Sequence, residues 1–319
     1  MHVRIPLIAV VFAITSHVAQ AQDIASWAVE MSQNYRIVPN VTYLVADGYE
    51  SKLDVIAPRD TSRPLPTLLY IHGGGWVGGV KDTHFLDFLP YLEMGFAIVN
   101  VEYRMGRVAL APGAVEDCRC ALRWVLDNAE EYGLDTGRIV VSGHSAGGHL
   151  TLTTGMLTSS VGLDRRCPAS NPEGAGRADA YEPEMPVAAM VNWFGITDVA
   201  DLVEGQNAKT YAVAWMGGLA NWREVARRVS PLEYVRADLP PILTLHGDAD
   251  DIVPYNHATR LHAALEKAGV PNQLHTIPGG SHGGFDLSEN LEAMRVIRAF
   301  LEQHGIVGGT APSDNGGAR

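Results

Sequence analysis

Ser145 stands between glycines in the pentapeptide Gly143-His144-Ser145-Ala146-Gly147. A serine hydroxyl is a weak nucleophile until a base takes its proton, and that base needs a carboxylate to hold its working tautomer. Both types follow downstream in the order Ser, Asp, His. Asp248, Asp250 and Asp251 cluster after Leu243-Thr244-Leu245-His246-Gly247, and His282 sits in Pro278-Gly279-Gly280-Ser281-His282-Gly283-Gly284-Phe285. The chain has twelve histidines, so a lone one carries little weight. His282 alone combines a late position, a glycine-rich loop and a helix pattern directly after it. His72 and His246 close strands and read as structural, while His144 and His149 flank the serine turn in positions ill suited to a base. Upstream, His72-Gly73-Gly74-Gly75-Trp76 offers glycine-rich backbone whose N–H groups can face an oxyanion.

These pieces need elements that deliver them to one place. Arg138-Ile139-Val140-Val141-Ser142 is a short β-branched run ahead of the serine turn, and a helix pattern follows from Gly148. A strand–turn–helix context holds the hydroxyl out at a helix N-terminus, where free N–H groups favour developing negative charge. Further strands are expected over 41–46, 53–57, 66–71, 96–101, 187–194, 243–247 and 273–277. Helices are expected over 85–94, 114–129 and 289–303. Strands alternating with helices imply a mostly parallel sheet with its ligand site at the carboxyl ends of the strands, and each chemical piece lies just after a strand. Two insertions interrupt the alternation. Residues 158–186 read as a surface loop. Residues 201–228 read as a small cap whose Tyr211, Trp215, Met216 and Trp222 form mostly local core, with some facing a pocket as the alternative. Residues 22–304 are expected to form one domain, and 305–319 a disordered tail.

Together these motifs resemble the α/β-hydrolase fold, with a mostly parallel eight-stranded sheet, helices on both faces and a small cap. The HGGGW form is similar to esterases related to hormone-sensitive lipase, and more closely to the bacterial group named for bifunctional feruloyl and acetyl-xylan esterases, BD-FAE. The resemblance runs from about Val41 to Leu301. The family pattern H-G-x-x-D-x-x-V-P falls on His246–Pro254 and implies Asp250 as the acid, beside Ser145 and His282. Asp248 then braces the turn and Asp251 faces water. The resemblance also implies an oxyanion hole from the N–H groups of Gly74, Gly75 and Ala146. Trp76 is expected to wall the pocket or anchor its loop, and Trp193 to reach the site. The implied chemistry is acyl transfer to water, which calls for no metal and no organic cofactor. The expected partner is a small-molecule or polysaccharide-linked ester. An amidase of the arylformamidase type, which shares a similar HGG-x-W loop, and a non-catalytic module on the same fold are the rival readings.

Composition narrows the setting. Arg4, the apolar run 5–14 and Ala19-Gln20-Ala21 read as a cleavable signal peptide over 1–21, too short to span a membrane, so the protein is expected to be secreted or periplasmic. The net charge of −12 argues against nucleic acid and anionic membrane surfaces as partners. Of the three cysteines, Cys118 falls on the apolar stripe of its helix and reads as core. Cys120 points elsewhere and is expected to pair with Cys167, as an oxidising compartment allows. No second ligand pair has the spacing of a zinc site.

Overall fold

The computed structural model describes residues 25–168 and 184–308. The expected leader, residues 169–183 of the 158–186 insertion and the expected tail beyond 308 therefore lie outside the described residues. The tail expected from 305 begins later than its composition suggested, because Ile306 and Val307 are buried against the core beside the last helix. A first helix, α1 (25–34), precedes eight strands: β1 (Tyr35–Ala46), β2 (Tyr49–Pro58), β3 (Leu65–Ile71), β4 (Ala97–Val101), β5 (Leu134–His144), β6 (Ala189–Trp193), β7 (Ile242–Gly247) and β8 (Asn272–Ile277). They pair in the order β1-β2-β4-β3-β5-β6-β7-β8. Strand β2 is antiparallel to β1 and β4, and every other pairing is parallel. This is the eight-stranded, mostly parallel sheet expected of an α/β-hydrolase.

The central strands are buried on both faces, so they read as continuous apolar runs. Alternate residues feed two cores. Leu69, Ile71, Val99 and Val141 pack on one face with α3 (Gly113–Asp127), α5 (Ala146–Met156) and α8 (Asn256–Ala268). Leu68, Tyr70, Ile98, Val140 and Val191 pack on the other with Ile297 and Phe300 of α9 (Leu287–Gln303). The remaining helices are short: α2 (Leu89–Glu93), α4 (Ala129–Tyr132), α6 (Thr210–Met216) and α7 (Trp222–Arg228). Helices α6 and α7 form the cap read from 201–228. Trp215 and Met216 are buried, as the local-core reading had it, whereas Tyr211 faces a cleft.

The helix expected over 85–94 is instead a 3₁₀ segment, Lys81–Phe88, followed by α2. Pro90 explains the break: it has no N–H to give and its ring crowds the preceding turn, so it is accepted only at the start of a helix. At the other boundary, α3 carries charge into the core in matched pairs. Asp117 meets Arg104 at 2.6 Å and Arg119 meets Asp164 at 2.7 Å. Cys120, beside Arg119, is joined to Cys167, which fastens the chain after α5 to α3, and Cys118 is a buried free thiol.

Candidate active site

Strand β5 ends at His144, and the chain reverses into α5 through Ser145, whose φ of 56° and ψ of −117° are strained for a residue with a side chain. The turn is held from outside by a hydrogen bond from the Ser145 N–H to the Trp193 carbonyl, 2.9 Å. Its flanking glycines are required by closeness. A Cβ on Gly147 would come within 2.1 Å of the Ile71 carbonyl oxygen, and one on Gly143 within 2.2 Å of the same atom. Helix α5 is thus pressed onto the end of β3, and Ser145 projects where β3, β5 and β6 finish.

His282 reaches this serine from the loop after β8. Its Nε2 lies 2.8 Å from Ser145 Oγ and its Nδ1 2.7 Å from Asp250 Oδ2. The loop is fixed at both ends. The Gly279 N–H donates to Asp248 Oδ1 at 2.6 Å, and α9 opens with a capping box between Asp286 and Glu289. The ring of Phe194 meets that of His282 edge-on at 4.7 Å.

Asp250 follows β7 and its carboxylate is fully buried. Its Oδ1 accepts the N–H groups of Ile252 and Val253, both at 2.9 Å. Its Oδ2 accepts from His246 Nε2 at 3.1 Å as well as from His282. Burial, the largest influence, would raise its pKa. The hydrogen bonds from His246, His282 and Val253 and the nearby His282 charge outweigh it and hold the carboxyl well below the usual carboxylate range. Of its neighbours, Asp248 braces the histidine loop and Asp251 is exposed.

The glycine loop lies across β3. Gly74, Gly75 and Trp76 all have positive φ, 117°, 60° and 62°. Among the described residues, the N–H groups of Gly74, Gly75 and Ala146 have no acceptor, and Ala146 begins α5, where helical N–H groups are free. Gly74, Gly75, Ser145 and His282 border one cleft of about 340 Å³ with Tyr211, Ile252 and Phe194.

Trp76 does not border this cleft. It is fully buried, stacked on Trp215 at 4.2 Å, and donates its indole N–H to His149 Nδ1 at 3.1 Å. The reading of Trp76 as a pocket wall is therefore corrected to that of a loop anchor. His149 passes the constraint on through its Nε2–H, which donates to the Val229 carbonyl at 2.7 Å; burial lowers its pKa to about 4. His72, likewise buried and lowered to about 4, donates from Nδ1 to the Gly73 carbonyl. Trp193 reaches the site only through its carbonyl, and its side chain borders a second cavity. Tyr211 takes the pocket-facing alternative held open for the cap aromatics. Two contributors are not singled out by the sequence: Phe194, and His246 as the second donor to Asp250. Phe194 and His246 both sit at carboxyl ends of strands, which was the available signal.

The BD-FAE family model matches residues 53–265. The esterases LipQ and LipC of Mycobacterium tuberculosis are 27% and 28% identical over 274 and 278 residues, covering 82% and 84% of this chain and 61% and 66% of theirs. The chain thus spans under two thirds of the length of these curated relatives. Among solved structures, a truncated carbohydrate esterase from gut microbiota aligns with a TM-score of 0.67 at 27% identity, over 85% of this chain and 97% of that one. The native esterase Est2 of Thermogutta terrifontis aligns with a TM-score of 0.67 at 26% identity, over 88% and 96%. With two thirds of its length under the family model and this sheet beneath it, the chain belongs to the BD-FAE family of α/β-hydrolases.

Proposed function

We propose that this chain is a serine carboxylesterase. One observation carries the reading: the continuous pair of hydrogen bonds from Ser145 Oγ to His282 Nε2, 2.8 Å, and from His282 Nδ1 to Asp250 Oδ2, 2.7 Å. Ser145 attacks the ester carbonyl as His282 takes its proton, and Asp250 stabilises the imidazolium that forms. The tetrahedral oxyanion is received by N–H groups of Gly74, Gly75 and Ala146, which need no reorganisation to meet it. His282 then protonates the leaving alcohol. Water enters by the same route, gives a proton to His282 and attacks the acyl carbon; His282 then returns that proton to the departing Ser145 Oγ as the acid is released. The substrates are short-chain or aromatic-acid esters, with acetyl and feruloyl esters of plant polysaccharides the foremost class. The carbohydrate esterase among the structural neighbours supports that choice. The Cys120–Cys167 disulfide supports an oxidising, secreted or periplasmic setting.

Replacing Ser145 tests the reading. Ser145→Ala is expected to lower kcat on p-nitrophenyl acetate on the order of 10⁵–10⁶-fold with an unchanged circular dichroism spectrum. A folded variant that keeps its turnover removes Ser145 from the chemistry. Running the wild-type protein on an aryl formamide in parallel separates an esterase from an amidase.

A further inference from the structure

Phe194 borders two cavities, and the triad uses only one of them. The second, about 320 Å³, is bordered by His84, Asp87, His144, Trp193 and Asn290, and by the turn that follows His282. No lysine or arginine is among its lining residues. His84 and Asp87 lie one turn apart on the 3₁₀ segment, and His144 closes β5. None of the three has a part in the proposed proton transfers. His84 Nδ1 lies 2.9 Å from Asp87 Oδ2, and the hydroxyl of buried Tyr70 is 2.5 Å from His144 Nδ1 and 3.5 Å from Asp87 Oδ2. One donor atom from each of His84, Asp87 and His144 lies within 4.8 Å of the other two.

We infer that His84, Asp87 and His144 form a binding site for a divalent transition-metal ion, zinc being the type case, beside the triad and separate from it. Two imidazoles and one carboxylate suit zinc, cobalt, nickel or copper, whereas magnesium and calcium prefer oxygen donors throughout. Tetrahedral bonds of about 2.0–2.2 Å hold the donors of one zinc ion roughly 3.3–3.6 Å apart, so a pair at the 4.8 Å limit must close by up to about 1.5 Å. His84 can supply that movement. Its side chain is 31% exposed, and its backbone leaves helical geometry at φ −112° and ψ 16°. On binding, His84 and Asp87 exchange their mutual hydrogen bond for bonds to the ion, and Tyr70, hydrogen-bonded to His144 Nδ1, fixes that ring and leaves its Nε2 for the ion. Three protein donors leave a position open to water or to a group entering the cavity. The rings of His144 and His282 both pack on Phe194, at 5.7 and 4.7 Å. A bound dication there opposes the positive charge that His282 gains in each proton transfer, so zinc is expected to inhibit turnover. That consequence rests on the esterase reading; the binding itself does not.

The test uses the full, untagged chain, stripped with a chelator and titrated with Co²⁺ alone, read by its visible d–d absorption and by equilibrium dialysis. One saturating equivalent is expected, displaced by Zn²⁺. His84→Ala and Asp87→Asn, both at solvent-accessible positions, are each expected to weaken it at least ~10-fold. Absence of a saturable band in the wild-type protein overturns the site, and so does a band equally strong in both variants. No ester is present in this measurement, so its failure leaves the esterase reading standing. Inhibition of p-nitrophenyl acetate hydrolysis by Zn²⁺ that persists undiminished in both variants overturns the link to turnover.

Discussion

The glycine loop, 72–79, and the acid loop, 247–254, flank the same serine and are held by opposite means. The acid loop is fixed by what is present. Asp250 accepts four hydrogen bonds, from two imidazoles and two backbone N–H groups, and its carboxylate has no freedom left. The glycine loop is fixed by what is missing. A Cβ on Gly75 would meet Tyr211 at 2.9 Å, and one on Gly74 would meet the Gly78 carbonyl oxygen at 2.0 Å. Its N–H groups stay free because the segment is pinned from below, by Trp76 on Trp215 and His149. A fixed acceptor is built by saturating it, and a fixed donor by keeping every internal acceptor away and anchoring the chain elsewhere.

The difference is most easily broken at the acid loop. Asp250→Asn keeps the shape and can still accept from Ile252 and Val253. It presents an amide N–H or a weaker acceptor to His282 Nδ1, so the imidazole loses its enforced tautomer. A fall in kcat of about 10⁴-fold is expected. Asp248→Asn and Asp251→Asn serve as controls, and a comparable fall in either would show that the acid has been misplaced. The glycine loop should break next. Gly75→Ala adds a methyl group at a φ of 60° and against Tyr211, so the donors must shift. The expected loss is about 10²–10³-fold in kcat, the usual cost of one oxyanion donor. Equal kcat with a raised KM would mean that Gly75 shapes the cleft without facing the oxyanion.

Both loops were legible in the sequence to the extent that their chemistry is carried by residue type. Glycines in a row and a His-Gly-x-x-Asp pattern announce backbone geometry and a turn, which are local properties. Facing direction is not local. Trp76 follows the glycines and looked equally suited to a pocket wall and to an anchor; only the position of Trp215, 139 residues on, decides it. Tyr211 and Trp215 share one face of α6 and both meet Trp76, yet Tyr211, a turn earlier, lies over Gly75 at the cleft while Trp215 is fully buried. The sequence pattern makes Phe194 the last residue of a strand. Its φ of 39° takes it out of the ladder and over His282. The cluster of His84, Asp87 and His144 has no sequence signature, because it joins a 3₁₀ segment to a strand end across 60 residues.

The two loops meet at Tyr211, which packs on Gly75 and donates its hydroxyl to the Ile252 carbonyl at 3.3 Å. Tyr211→Ala opens the 340 Å³ cleft without touching the triad. Longer acyl chains should gain, by up to ~4-fold in kcat/KM for each further methylene buried at about 0.8 kcal/mol. A series of p-nitrophenyl acetate, butyrate and hexanoate checks this. An unchanged ratio across the series would place the acyl chain outside this cleft.

Acid should separate the loops without any substitution. His149 accepts from the Trp76 indole at Nδ1 and donates from Nε2, so it works only as the neutral imidazole. Its folded pKa, about 4, lies below the unfolded value near 6.5, and the same holds for His72. The unfolded chain therefore binds more protons between those limits. The stability each contributes is complete above about pH 6.5, is lost as pH falls toward 4 and changes no further below it, with a ceiling on the order of 3 kcal/mol each. Asp250 has the opposite charge type and a later window. Its folded pKa is depressed below the unfolded 3.8, so its contribution begins to fall only as pH passes under that value. The protein should thus lose stability across pH 6.5–4 through His149 and His72, both still neutral in the fold, while the acid loop's carboxylate remains ionised; only below about pH 4 does the anchor itself become protonated. In thermal melts, His149→Gln, which keeps an acceptor and a donor but cannot be protonated, should melt lower at pH 7 and show a shallower decline toward pH 4. Parallel declines in the two proteins would mean that the anchor does not depend on a neutral His149.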